Sequence, residues 1–170
     1  MARRVFFSFH YQNDIWRVAQ IRNCWVTKER TAAGFWDAAE WESIKRRGDE
    51  AIKSWINSQL FNTSVTIVLI GEETFKRKFV RYEILQSHAR GNGLLGIFIH
   101  NLKDRLGNTS PKGANPFSVL TAHHNGRNAN LSDIYPVYDW VINNGQANLA
   151  AWIENAASKA GRGTLHGIHY

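Results

Sequence analysis

Six consecutive residues, Val65-Thr66-Ile67-Val68-Leu69-Ile70, are apolar or β-branched and end at Gly71. This run constrains the fold more than any other stretch. It is short, β-branched and closed by glycine, so it reads as a strand buried on both faces, the kind found in a parallel sheet covered by helices on both sides. The residues that follow predict a helix packed back onto that strand, because Phe75 and Phe79, and Val80 and Ile84, each lie one turn apart.

Glu83 is the odd residue of that predicted helix. At about 100° per residue, Arg77, Lys78 and Arg81 cluster on one side, and Glu83 projects almost opposite them, between Phe79 and Val80. A carboxylate in that direction needs a hydrogen bond, an ion pair with a residue such as Lys76, a raised pKa, or a cleft that opens beside it. Two readings stand side by side: a helix-edge Glu tied to a backbone or lysine partner, and a perturbed carboxylate of a functional cleft.

A second apolar run, Val5-Phe6-Phe7-Ser8-Phe9, gives way to His10-Tyr11-Gln12-Asn13-Asp14. It predicts a first strand, a polar loop and a helix from about Asp14, with Asp14 or Asn13 as its cap. The loop would lie at the carboxyl end of a strand, where open α/β sheets bind ligands. Val26-Thr27-Lys28 and Ala33-Gly34-Phe35-Trp36-Asp37 each read as a short strand or a loop. From Glu40 to Leu60 the spacing of Ala51, Ile52, Trp55, Ile56 and Leu60 predicts a helix, with Lys45, Arg46, Arg47 and Lys53 mostly on its solvated face.

Leu94 to His100 predicts another buried strand after the Gly91-Asn92-Gly93 turn. Strands and helices in this alternation define crossover units and a mainly parallel sheet. Residues 101–133 lack periodicity and predict a functional or partner-binding loop. Pro136 to Val141 predicts the last strand, and Gln146 to Lys159 a closing helix with Leu149, Trp152, Ile153 and Ala156 inward. The expected organisation is a single domain over 1–160 and a loose tail over 161–170.

The composition fits a folded core: 170 residues, 44% hydrophobic, with seven Trp and nine Phe. No stretch approaches the roughly 20 apolar residues of a membrane helix. The apolar start is broken at once by Ser8 and His10, too early for a signal sequence. A soluble, cytoplasmic protein without a membrane partner is expected. The lone Cys24 has no partner for an internal disulfide and reads as packing. A net charge of +7 favours phosphate-bearing partners, a dinucleotide or nucleic acid.

No HExxH or CxxC spacing occurs, and His123-His124 lack a clear third ligand, so no metal site is expected. The GxSxG elbow, the Walker A loop and GxGxxG are all missing, which disfavours serine hydrolysis and P-loop chemistry. A cleft-facing carboxylate and a polar loop remain. They suit chemistry at a sugar C1 atom, where a carboxylate stabilises an oxocarbenium-like centre or holds ribose hydroxyls. A pyridinium leaving group departs neutral, so one carboxylate suffices.

Val5 to His10 resembles the opening strand of TIR domains. Gly34-Phe35-Trp36-Asp37, with Gly48 and the helix from Ala51 to Gln59, resembles their second block, and Phe79 to Ile84 resembles the helix carrying their catalytic Glu. From Arg4 through Asn115-Pro116-Phe117 to Val137-Tyr138-Asp139-Trp140 the chain is similar to the TIR-like proteins of bacterial Thoeris anti-phage systems. The resemblance implies a flavodoxin-like three-layer α/β sandwich with a parallel sheet of order 2-1-3-4-5. It implies cleavage of the nicotinamide bond of NAD, as substrate and with no resident cofactor, and a cyclic ADP-ribose-type second messenger that activates a separate effector.

By the same resemblance Glu83 is the catalytic carboxylate, and Phe6, Ser8, Phe9, His10, Tyr11, Asp37 and Phe79 belong to the substrate site, with capping of the stretch before Glu40 as the other reading of Asp37. A phage-derived trigger and self-association are further expectations, and nucleic acid is disfavoured as a partner. His10 stands where many TIR domains have Arg, which removes a permanent charge near the phosphates. Phe79 stands where many have Trp. The rival reading is a non-catalytic TIR-like interaction module. The enzymatic one requires Glu83 in a water-poor crevice with room for a ribose beside it.

Overall fold

The computed structural model describes residues 3–26, 31–35 and 38–162. Strand β1 (Arg4–Ser8), helix α1 (Tyr11–Val26), strand β2 (Thr31–Ala33), helices α2 (Ala38–Arg46) and α3 (Asp49–Leu60), strand β3 (Val65–Ile70), helix α4 (Lys78–Ala89) and strand β4 (Gly93–Phe98) build the first part of the chain. Strands β5 (Thr121–His124) and β6 (Arg127–Asn130), then β7 (Val137–Asp139) and helix α5 (Gly145–Lys159), complete it. Five strands form one parallel sheet in the order β2-β1-β3-β4-β7, which is the expected 2-1-3-4-5 when those five are numbered along the chain.

Alternation along the strands sorts the sheet's two faces. Val5 and Phe7 of β1, Ile67 and Leu69 of β3, and Leu95 and Ile97 of β4 pack under α1 and α5, against Val18, Ile21, Leu149 and Ile153. Phe6 turns the other way, into a cluster with Ile44, Ile52, Ile56 and Leu60 of α2 and α3. Val68, Ile70 and Leu94 meet Val80 and Ile84 of α4 on that same side. Every residue of β3 is buried, as its composition predicts.

Several expected elements differ. The helix over 40–60 is two helices, because Gly48 adopts φ 90°, a conformation that costs other residues steric strain and breaks the helix there. The helix after β3 also starts late. Residues Thr74–Lys76 form a 3-10 turn, Arg77 is extended, and α4 begins at Lys78, so Phe75 and Phe79 are not on one helix. Finally, there is no polar loop over residues 11–14. α1 starts at Tyr11, with the Asp14 amide donating to the His10 carbonyl at 3.0 Å.

Asp14 is therefore not a cap. Its carboxyl is buried against the end of β3, near Arg17 at 3.8 Å. Burial raises its pKa to about 6, opposed by the Arg17 charge and a hydrogen bond with Thr74. A Cβ at Gly71 would collide with the Asp14 carboxyl oxygens. Gly71→Ala is accordingly expected to lower stability by about 2 kcal/mol, as overpacking of a tight interior does, and urea unfolding would measure it.

Residues 101–133 are not loop throughout, since two short strands and two 3-10 turns lie between Pro116 and Asp133. Asn125-Gly126, both at positive φ, close the β5–β6 hairpin, so His123 and His124 lie on a strand. Buried Arg17 donates to the carbonyls of Leu102 at 2.8 Å and Asn108 at 3.0 Å, pinning the preceding segment to α1. Of the expected strand at 26–28, Val26 closes α1 and the rest lies outside the described residues, as do Trp36, Asp37 and tail residues 163–170. Half-buried Cys24 lies on α1. No described helix is long and apolar enough to cross a membrane.

Candidate active site

Four positions of α4 are buried: Val80, Glu83, Ile84 and Ser87. Their spacing of three and four residues makes one inward stripe, and two of the four are polar. Each polar one meets a polar residue of the strands. Ser87 Oγ lies 2.7 Å from Thr66 Oγ1 of β3, and Ser8 of β1 donates its hydroxyl to Glu83 Oε2. Ser8 is available because alternation places it on the same face as Phe6.

Lys76, a candidate ion-pair partner of Glu83 from the sequence, pairs with Glu73 at 3.0 Å instead. It belongs to the 3-10 turn and not to α4, which carries it away from the inward stripe. Of the alternatives open to Glu83, the structure shows the hydrogen bond, from a hydroxyl, and not the ion pair. Burial pushes its pKa up to about 8, and the Ser8 hydrogen bond pulls it only partly back. At neutral pH the free protein holds this carboxyl mostly protonated.

Glu83 lines a cavity of about 50 Å³ together with Phe9, His10, Tyr11, Trp41, Arg77 and Phe79, among others. The Tyr11 and Trp41 rings stack at 5.9 Å, 28° between planes. His10 is buried and neither ring nitrogen has a hydrogen-bond partner. Burial and then the nearby Arg77 charge lower its pKa, which keeps the ring neutral. The crevice beside Glu83 exists, then, but ligand pockets run to about 300–1,000 Å³, and this one is closed down to water size.

The predicted site residues separate accordingly. Phe9, His10, Tyr11, Phe79 and Glu83 share the cavity. Ser8 stands behind it as the hydrogen-bond partner of Glu83. Phe6 is fully buried in the core beneath α3, behind the lining residues Ile52 and Ile56 and not on the cavity wall itself, and Asp37 lies outside the described residues. Trp41 and Arg77 join the cavity without a signal in the sequence. A helix continuous through Arg77 would put it on the solvated basic face. The extended residue that starts α4 is what turns it toward His10. No cluster of three or more His, Cys, Asp and Glu that could hold a metal occurs among the described residues.

A doubly wound parallel sheet whose first strand presents a hydroxyl to a buried carboxyl, next to an aromatic crevice at its carboxyl end, has the layout of a TIR-like domain. The family model "Thoeris protein ThsB, TIR-like domain" matches residues 6–104. That span exceeds half the chain and contains Ser8, α4 and every cavity residue named above, and the chain belongs to this ThsB family of TIR-like proteins. The chain is also similar to a Bacillus cereus (strain MSX-D12) protein named "Putative cyclic ADP-D-ribose synthase ThsB1". The two are 41% identical over 191 residues, covering 90% of this chain and 100% of the relative.

Proposed function

We propose that this protein cleaves NAD between nicotinamide and ribose and closes the remaining ADP-ribose into a cyclic nucleotide that signals to a separate effector during phage infection. The observation that carries the reading is Glu83, a carboxyl set in the inward stripe of α4 at the edge of an aromatic crevice. A purely structural position would take an apolar residue at far lower cost. The name of the 41% identical relative supports the same reading.

The chemistry follows from the groups present. NAD brings a positively charged pyridinium to the carboxyl, and that charge lowers the pKa of Glu83 and ionises it. The C1–N bond breaks, its electron pair leaves with neutral nicotinamide, and ionised Glu83 faces the cationic ribosyl carbon. An internal nucleophile of the same ADP-ribose then bonds to that carbon. The overall reaction releases nicotinamide, the cyclic product and one proton. Arg77, which lines the crevice at the start of α4, would meet the phosphates together with that helix N-terminus, supplying the charge that His10 lacks. The free nitrogens of His10 would bond a ribose hydroxyl or the carboxamide. Tyr11, Trp41, Phe9 and Phe79 supply apolar walls that exclude water and favour ring closure over hydrolysis.

The volume of about 50 Å³ favours the rival reading of an interaction module that never admits substrate. The two part on one movement. Enzymatic turnover requires the Tyr11–Trp41 stack to open, so NAD should shift the tryptophan emission of the protein, and Trp41→Phe should remove most of that shift. The assay is run alone and with extract of phage-infected cells, alongside measurement of free nicotinamide. No emission change and no nicotinamide under either condition would leave the module reading standing.

A further inference from the structure

A cavity of about 530 Å³ opens at the other end of the sheet from Glu83, where α4 and α5 finish and β4 begins. Leu94, Ile134 and Pro136 are among its apolar walls, and no carboxylate lines it among the described residues. Its volume falls within the range of small-molecule sites. It also lies partly beyond the family match, since its hairpin and α5 walls follow residue 104.

Its polar groups divide into those already used and those left over. His88 Nε2 lies 2.8 Å from the His123 carbonyl, which can only accept, so that nitrogen carries hydrogen. His88 Nδ1 lies 2.5 Å from the Tyr135 hydroxyl, and burial raises the Tyr135 pKa to about 12, so the phenol keeps its proton. These bonds clamp the β5–β6 hairpin to α4 and occupy both groups. The His124 ring, 5.5 Å from His88, and Lys159, which has no ion-pair partner among the described residues, remain.

The carbonyl ends of α4 and α5 would ordinarily repel an anion here. They are answered from within the protein. The Arg162 guanidinium donates to the carbonyls of Arg90 at 2.5 Å and Gly91 at 3.1 Å. The amides of Ala160, Gly161 and Arg162 close the last turn of α5. The cavity is left with the Lys159 cation, an imidazole with a ring neighbour, and apolar walls for a planar group.

We infer that this cavity binds a phosphate-bearing nucleoside, with Lys159 on the phosphate and His124 against the base. The site is separate from the Glu83 crevice and does not depend on NAD cleavage there. Calorimetric titration of the full chain with ADP tests it, with inorganic phosphate and adenosine as comparison arms. ADP should bind more tightly than either arm. Lys159→Ala and His124→Ala should each weaken ADP at least tenfold, while Lys45→Ala on the exposed face of α2 leaves it unchanged. Lys159 is exposed, so its substitution spares the fold, and Lys159→Gln provides a second variant. Absence of ADP binding at millimolar concentration would overturn the inference. So would binding that Arg77→Ala abolishes and Lys159→Ala does not affect.

Discussion

Glu83→Gln is expected to lower nicotinamide release at least a thousandfold while making the folded protein more stable at alkaline pH. The loss follows from removing the carboxylate beside the bond that breaks. Electrostatic stabilisation of developing charge contributes more than any other effect to such a step, and removing a key group costs about 10²–10³-fold or more. The gain follows from linkage. The carboxyl of Glu83 has a pKa of about 8 in the fold, against 4.5 for an unperturbed glutamate. Between those values the folded state holds a proton that the unfolded state has lost, so stability falls as pH rises.

The contribution is fully present below about pH 4.5 and gone above about 8. Its size is on the order of 5 kcal/mol. Glutamine keeps a hydrogen bond with Ser8 and carries no charge, so the variant should match the parent in acid and exceed it by several kcal/mol near pH 9. Urea unfolding at the two pH values, beside a nicotinamide assay, measures both halves. A Glu83→Gln protein that is less stable at pH 9 would mean that the carboxylate is a strut, and the catalytic reading would fall with it.

The second large effect is in the pH profile of turnover. The free protein must lose the Glu83 proton before that carboxylate can face a cation, so kcat/KM should rise about 50-fold between pH 6 and pH 8. The sign is that of an acid with a raised pKa: activity appears as the proton leaves. In the NAD complex the pyridinium charge favours ionisation, so kcat should rise less steeply and level off at lower pH. His10 does not oppose this trend, because burial and the Arg77 charge lower its pKa and favour the neutral ring. A kcat/KM that is flat from pH 6 to 8 would place the ionisation of Glu83 outside the reaction.

Much of this architecture is legible in the sequence because the strongest signals are local. The β-branched run at 65–70, the one-turn spacing of Val80 and Ile84, and the apolar run from Val5 each state their own buried face. Glu83 stands out for the same reason, as a charge in an apolar stripe. What sequence spacing does not reveal comes from tertiary partners or from turn chemistry inside irregular stretches. Phe6 has the look of a site residue and shares a face with Ser8, yet it stands two residues short of the strand's carboxyl end and is covered by α2 and α3. Asn125-Gly126 is a hairpin signal, but the short polar strands on either side of it give no apolar alternation to mark them. Arg77 and Trp41 reach the crevice through a break before α4 and through the packing of α2, and neither leaves a periodic trace.

Helix α5 lies wholly beyond residue 104, yet Leu149, Trp152, Ile153, Ala156 and Ala157 roof much of one side of the sheet. A fragment cut at the end of the family match would retain Ser8, Arg77 and Glu83 and still leave Ile67, Leu95 and Ile97 wet. The block by which the chain is recognised is therefore smaller than the block that can stand in water, and any minimal version of this protein has to carry its last helix.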